Sequence, residues 1–197
     1  MYEYRKLNPE QKAILVQERL AKGFPRHSPP HPIKDSQFYL ITTTCYEHKC
    51  RINSIERRQQ LLNEIFNKFI NQGIEILAWI VLPNHYHLLT KTVDFKDLSK
   101  TFRLIHGSLA RQWNLEENTT GKIWYSFSDR AIRSEGHYYT TLNYIHYNPV
   151  KHNWAKSPYD WHESSVHWYL ENYGREWLRN RWVEYPVSDY GKGWDDL

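Results

Sequence analysis

Cysteine is nearly missing from this sequence, with two residues in 197, Cys45 and Cys50. Two thiols make no disulfide framework, and with no apolar leader after Met1 the composition reads as cytoplasmic. His48 lies between them, but a structural zinc site needs four ligands. No second Cys or His pair stands nearby at finger-like spacing, so zinc is not expected there. No run of 18 or more apolar residues occurs, which leaves nothing expected to span a membrane. A large excess of one charge is also missing. The 26 Lys and Arg against 22 Asp and Glu leave +4, with an isoelectric point near 8.9. That balance favours a polyanionic partner without requiring one.

Aromatic side chains are abundant: 16% of the chain, including nine Trp and fifteen Tyr. Rings mixed with Lys and Arg suit a binder of single strands, because every base has a face to stack on and every phosphate attracts a cation. The same rings are ordinary core filling when buried.

The chain reads as three stretches: an extension over 1–36, a main body over 37–156, and a Trp-rich tail over 157–197. In the first, Asn8-Pro9 offers a helix cap and a first-turn proline for a helix over Ala13–Ala21, and Gly23 ends it. The following FPRHSPPHP cannot be regular structure. In the body, QFYLITTTCY (37–46) reads as a strand, and residues 56–72 line up Leu61, Leu62, Ile65, Phe66, Phe69 and Ile70 on one helical face. IEILAWIVL (74–82) and HYHLLTKT (85–92) read as strands separated by Pro83-Asn84. From Asp94 to Trp113, apolar residues recur at three and four, with Lys100, Arg103 and Arg111 on the other face. Ile123–Ile132 reads as a fourth strand, and a last helix is expected from Glu135 to Asn148, where Pro149 disfavours continuation. The order βαββαβ followed by a helix predicts an α+β, ferredoxin-like fold: an antiparallel sheet, helices on one face, and a C-terminal tyrosine-bearing helix. The tail shows no clean period and is expected to lie back across the body.

Two segments carry chemistry. In LPNHYHLL, His85 and His87 are two apart on a strand, so both project to one face while Tyr86 and Leu88 point to the side covered by helices. Two imidazoles on one face can hold a divalent metal and leave positions open for substrate, although a lone His-x-His is more often two polar residues on a solvated face. In YIHYNPVKHNW, Tyr144 and Asn148 are four apart and share a helical face, extended upstream by His137 and Thr141. Read alone, these are also a rim aromatic and a helix cap. Taken together, the segments assemble two imidazoles, one amide oxygen and one phenol. A phenol with an ordinary pKa near 10 is a poor nucleophile at neutral pH, and a metal that polarises the phosphate under attack compensates for that. Attack by tyrosine also keeps the phosphodiester energy in a covalent link, so rejoining needs no ATP.

LPNHYHLL resembles the HUH motif (His, bulky residue, His), and YIHYNPVKHNW resembles the tyrosine helix of the REP-associated tyrosine transposases, relatives of the single-strand insertion-sequence transposases. The resemblance covers about residues 37–156 and includes WYSFSDRAIRSEGHY before the tyrosine helix. It implies Tyr144 as nucleophile and His85, His87 and Asn148 as metal ligands. Insertion-sequence relatives usually carry Gln where Asn148 stands, and Asn matches the REP-associated branch. It also implies Mg2+ or Mn2+, a 5′-phosphotyrosine intermediate, recognition of DNA hairpins with adjoining single-stranded bases, and a monomer whose tyrosine acts in cis. Histidine ligands sit uneasily with magnesium, which prefers oxygen, so manganese is expected to bind more tightly.

Arg103, Arg133 and Lys151 are the expected DNA-contacting cations, and Trp124 the expected stacking ring. Two other readings compete: a catalytically silent, sequence-specific DNA-binding protein on the same fold, and a phosphodiesterase that uses water instead of tyrosine.

Overall fold

Strand β1 (Phe38–Thr44) opens the main body as its β-branched composition predicts, with Leu40 and Ile41 buried on its two faces. The structure, a computed structural model, describes residues 8–11, 13, 14, 17, 37–91 and 95–192. The chain divides into two units, residues 1–34 and 35–197. In the first, the Gln11 backbone N–H donates to Asn8 Oδ1 (2.8 Å) and the Asn8 N–H donates to Gln11 Oε1 (3.0 Å). This reciprocal cap starts a helix at Pro9, as expected. Most of the expected helix over Ala13–Ala21, and the proline-rich stretch after it, lie outside the described residues.

The second unit continues with α1 (Ile55–Ile70), β2 (Glu75–Val81), β3 (His85–Lys91), α2 (Phe95–Glu116), β4 (Ser128–Ala131), α3 (Glu135–Lys151) and α4 (Val166–Glu184). The four strands form one antiparallel sheet in the order β2-β3-β1-β4, the ferredoxin-like arrangement. On one face lie α1 and α2. Phe66 of α1 meets Trp79 edge-on at 4.9 Å, and Phe102 and His106 of α2 close over Tyr86. The opposite face carries α3, whose Leu142 and Ile145 join Leu40, Ala78, Ile80 and Leu89 in one buried cluster.

Three features depart from the sequence reading. The fourth strand is shorter than Ile123–Ile132. Beyond the Thr42–Ser128 pair, the chains meet again only at the bridge between Cys45 and Trp124, so three steps along β1 are matched by four along its partner. One extra residue makes a bulge, which reverses the inside–outside phase of everything before it. Helix α3 also runs past Pro149 to Lys151. The proline is buried, and the His152 N–H closes the turn on Asn148 O at 3.1 Å. The third departure is α4, a 19-residue helix in the tail that periodicity does not reveal, because Gly174 at φ +81° kinks it and shifts its apolar face. Among the described residues no helix is long and apolar enough to cross a membrane.

Polar groups fix how α3 and α4 sit. The Asn143 Nδ2 group donates to the carbonyls of Arg181 (2.9 Å) and Tyr185 (2.8 Å), closing the last turn of α4. Buried His146 shares a hydrogen bond with Ser165 Oγ (2.9 Å), which also accepts from the Trp79 N–H of β2 (3.1 Å). Desolvation pushes the His146 imidazole down to about 3, so it stays neutral in this contact. At the edge of β2, the Glu163 carboxylate accepts from buried Arg58 Nε at 2.9 Å while the Val81 N–H donates to the Glu163 carbonyl. Removing one partner of a buried pair strands the other charge. Glu163→Ala is therefore expected to lower unfolding free energy by about 3–5 kcal/mol, read by urea denaturation, and a loss under about 1 kcal/mol would contradict the pairing described.

Candidate active site

Pairing of β1 with β3 places Thr42 opposite His87 and Thr44 opposite His85, all four on the face covered by α3. Tyr86 and Leu88 point the other way. The Tyr86 phenol is 2.8 Å from His106 Nε2, which explains a polar residue at this buried position. Burial drives the Tyr86 phenol pKa up and the His106 imidazole down to about 3, so both stay neutral. The ring of His106 stacks in turn on Trp124 at 4.5 Å.

The two candidate ligands are oriented from behind. Asn84 Nδ2 donates to the His48 carbonyl (3.4 Å), which turns Asn84 Oδ1 toward His85. His85 Nδ1–H donates to that oxygen at 2.7 Å, leaving a lone pair on Nε2. His87 Nδ1 is held by Thr42 Oγ1 at 2.8 Å, so its Nε2 also faces the site. Oxygen partners on the outer nitrogen are what metal-binding histidines use to fix tautomer and angle.

Helix α3 supplies the rest. Asn148 Oδ1 lies 3.0 Å from His85 Nε2, and the Tyr144 hydroxyl lies 3.4 Å from His87 Nε2. The four side chains expected from sequence thus converge at one place. Two acceptors, the His85 lone pair and the Asn148 oxygen, face each other at hydrogen-bonding distance, and the buried Asn148 Nδ2 has no hydrogen-bond partner among the described residues. Rotation of the amide would offer His85 a donor, and a cation would use both lone pairs. The donor set of two imidazoles and one amide oxygen fits a divalent metal. Among the described residues no three His, Cys, Asp or Glu side chains form a metal-binding group, so the amide is needed to complete the set.

Tyr144 is fully buried, at 0% exposure. The tail covers it: Tyr190 packs edge-on against its ring at 5.4 Å, and the Gly191 backbone lies so close that an added Cβ would sit 2.2 Å from Tyr144 Cε2. Gly191 also has φ +81°, the left-handed region that glycine tolerates best. A chain of hydrogen bonds holds the cover. The Arg133 N–H donates to His137 Nδ1 (3.2 Å), so His137 Nε2–H donates to the Tyr190 oxygen (2.9 Å). Tyr190 donates to Thr141 Oγ1 (2.6 Å), and Thr141 donates to the His137 carbonyl (2.7 Å). Burial, with Arg130 and Arg133 nearby, holds the His137 pKa below its ordinary value and keeps it neutral in this role.

The expected DNA contacts separate. Lys151 is at the site, with Nζ 5.2 Å from the Tyr144 ring centroid and donating to the Gly191 carbonyl at 2.9 Å. Arg133 stands exposed before the N-cap of α3, about three helical turns' worth of chain upstream of Tyr144 and beyond His137. Arg103 lines a surface groove with Leu104, Gly107 and Arg111 on α2, which packs on the opposite face of the sheet. Trp124 is only 5% exposed, because the bulge turns it into the core under α2; it is not a stacking platform. Sequence reasoning passed over Asn84, although it stands in LPNHYHLL, and Tyr190, for which the tail offers no motif.

Over 125 residues the chain is 32% identical to the REP-associated tyrosine transposase of Escherichia coli K12, spanning 59% of this chain and 73% of that one. This chain belongs to the REP-associated tyrosine transposase family. A Haemophilus influenzae protein bearing the same family name is 31% identical over 131 residues, covering 57% of this chain and 74% of the relative. A solved structure of a REP-associated tyrosine transposase bound to a REP hairpin superposes with a TM-score of 0.59 at 26% identity, covering 74% of this chain and 86% of that one. No family model matches.

Because the glycine contact is so close, Gly191→Ala is expected to lift the tail from Tyr144. Nitration by tetranitromethane, mapped by peptide mass spectrometry, should then modify Tyr144 in the variant and spare it in the parent. Equal protection in both would show that the tail does not screen the phenol.

Proposed function

We propose that this chain cleaves and rejoins single-stranded DNA beside hairpin repeats, with Tyr144 as nucleophile and Mg2+ or Mn2+ held by His85, His87 and Asn148. The observation that carries this reading is the convergence of the Tyr144 hydroxyl, both Nε2 atoms and the Asn148 amide oxygen at the junction of β3 and α3. Membership of a family whose members are named tyrosine transposases supports it, as does the likeness to a relative bound to a REP hairpin.

When bound, the metal supplies a positive charge that polarises the phosphate and stabilises the charge that develops on it. The protein's own part is positional. Thr42 and Asn84 set the imidazole angles, and α3 holds the phenol beside them. Tyr144 Oη attacks phosphorus and gives up its proton to solvent, the bond from phosphorus to the 3′-oxygen breaks, and the 3′-oxygen takes a proton from solvent and leaves as a hydroxyl. The 5′-phosphate stays on the tyrosine, and the reverse attack by a 3′-hydroxyl rejoins strands. The Tyr144 hydroxyl reaches His87 Nε2 from its own chain's α3, and on this reading a monomer acts in cis. In-line attack needs a phosphate that can turn freely, so single-stranded flank is cut in preference to duplex. The buried state of Tyr144 favours one alternative, a protein that binds DNA without turning it over.

Tyr144→Phe is expected to abolish the covalent DNA adduct on a denaturing gel while hairpin binding changes less than about threefold (under 1 kcal/mol). Tyr147 projects from α3 to solvent, and Tyr147→Phe should keep the adduct. An adduct that persists without the Tyr144 hydroxyl would overturn the assignment. For the metal, His85→Ala with His87→Ala should abolish manganese binding in calorimetric titration, and Asn148→Ala should weaken it more mildly. Unchanged affinity in the double variant would place any ion elsewhere.

A further inference from the structure

The sheet face bearing His85 and His87 continues past them onto the end of β1. Thr44 lies opposite His85; Cys45 after it is extended and turned into the core, so Tyr46, the first residue of a short 3-10 turn, leaves on the other side. The bulge in the neighbouring strand brings Tyr125 to that side as it turns Trp124 inward. Both backbones are pinned, with the Tyr46 N–H donating to Ile123 O (2.6 Å) and the Tyr125 N–H to Thr44 O (2.9 Å). The two rings lie 5.1 Å apart at 48°, and Lys122 Nζ stands 5.4 Å and 5.3 Å from their centroids. Both rings are half-buried and Lys122 is exposed. The next two residues, Glu47 and His48, take left-handed φ values of 55° and 54°, and this turn presents the His48 carbonyl to Asn84. The aromatic pair is thus built into the same chain of contacts that aims His85.

We propose that Tyr46, Tyr125 and Lys122 form a seat for the unpaired nucleotide beside the scissile phosphate. The base stacks on the tyrosine rings and Lys122 takes the phosphate of that nucleotide. The chemistry selects a single strand: two π faces accept a base that has left its partner, and one cation answers one phosphate. The place agrees, because the seat adjoins His85 on the face where the reacting phosphate must lie. Stacking tolerates any base, so the seat fixes where the strand lies, and sequence is read elsewhere. The seat deepens the proposed cleavage reading and rests on it for its role.

The test uses the full chain and a DNA hairpin whose single-stranded flank carries 2-aminopurine at successive positions. In the parent, one flank position should be quenched on binding. Tyr46→Leu with Tyr125→Leu keeps apolar volume and should abolish that quenching, with affinity for the flanked hairpin falling about tenfold or more and affinity for the hairpin without a flank unchanged. Tyr46→Phe with Tyr125→Phe should restore both. Lys122→Ala should lower the salt slope of flank binding by about 0.7. Quenching that survives in the leucine pair, or a phenylalanine pair as weak as the leucine pair, overturns the seat. Parental adduct formation is scored separately: flank quenching without an adduct would sustain the seat and remove the cleavage reading.

Discussion

On β3, successive side chains must leave the sheet on opposite sides, and the catalytic reading depends on that alternation. His85 and His87 emerge together on one face. Tyr86 between them is committed to the other, where its hydroxyl meets His106 and its ring meets Phe102. A slip of one residue in register would move both imidazoles under α2 and put the Tyr86 phenol in their place under α3. Pairing of β3 with strands on both sides makes such a slip costly.

Around that strand the polar contacts act in layers. The carbonyl of His48 orients Asn84, Asn84 orients His85, and Thr42 orients His87. On the far side, Asn143 and His146 tie α3 to α4 and β2, so that Tyr144 and Asn148 come down at a fixed height over the histidines. The tail closes over the phenol through Tyr190 and Gly191. Positioning therefore comes from strands and helices, and among the described residues Tyr190 and Gly191 of the tail lie directly on the Tyr144 ring.

Much of this was legible in the sequence because it is local. Period two in HYHLLTKT gave the shared face of His85 and His87, and spacing four gave Tyr144 with Asn148. The apolar runs gave the strand and helix order from which the sheet follows. What escaped was set by contacts between distant segments. One inserted residue before Ser128 exchanges the faces of Trp124 and Tyr125, and nothing in WYSFSDRA announces it, so the expected stacking ring is one that the fold buries. The kink at Gly174 hides the period of α4, and Pro149 reads as a stop although its burial lets the helix continue. The cover over Tyr144 depends on Gly191, one glycine in a tail with no motif.

The central claim is that one tyrosine at this junction becomes covalently joined to DNA. It is tested most directly by digesting the protein with trypsin after incubation with a flanked hairpin and Mn2+, then sequencing the nucleotide-bearing peptide by mass spectrometry. The account predicts the added nucleotide on the peptide from Ser134 to Lys151, at Tyr144 and not at Tyr138, Tyr139 or Tyr147. A nucleotide on any other tyrosine, or cleaved DNA with no peptide carrying one, would contradict it.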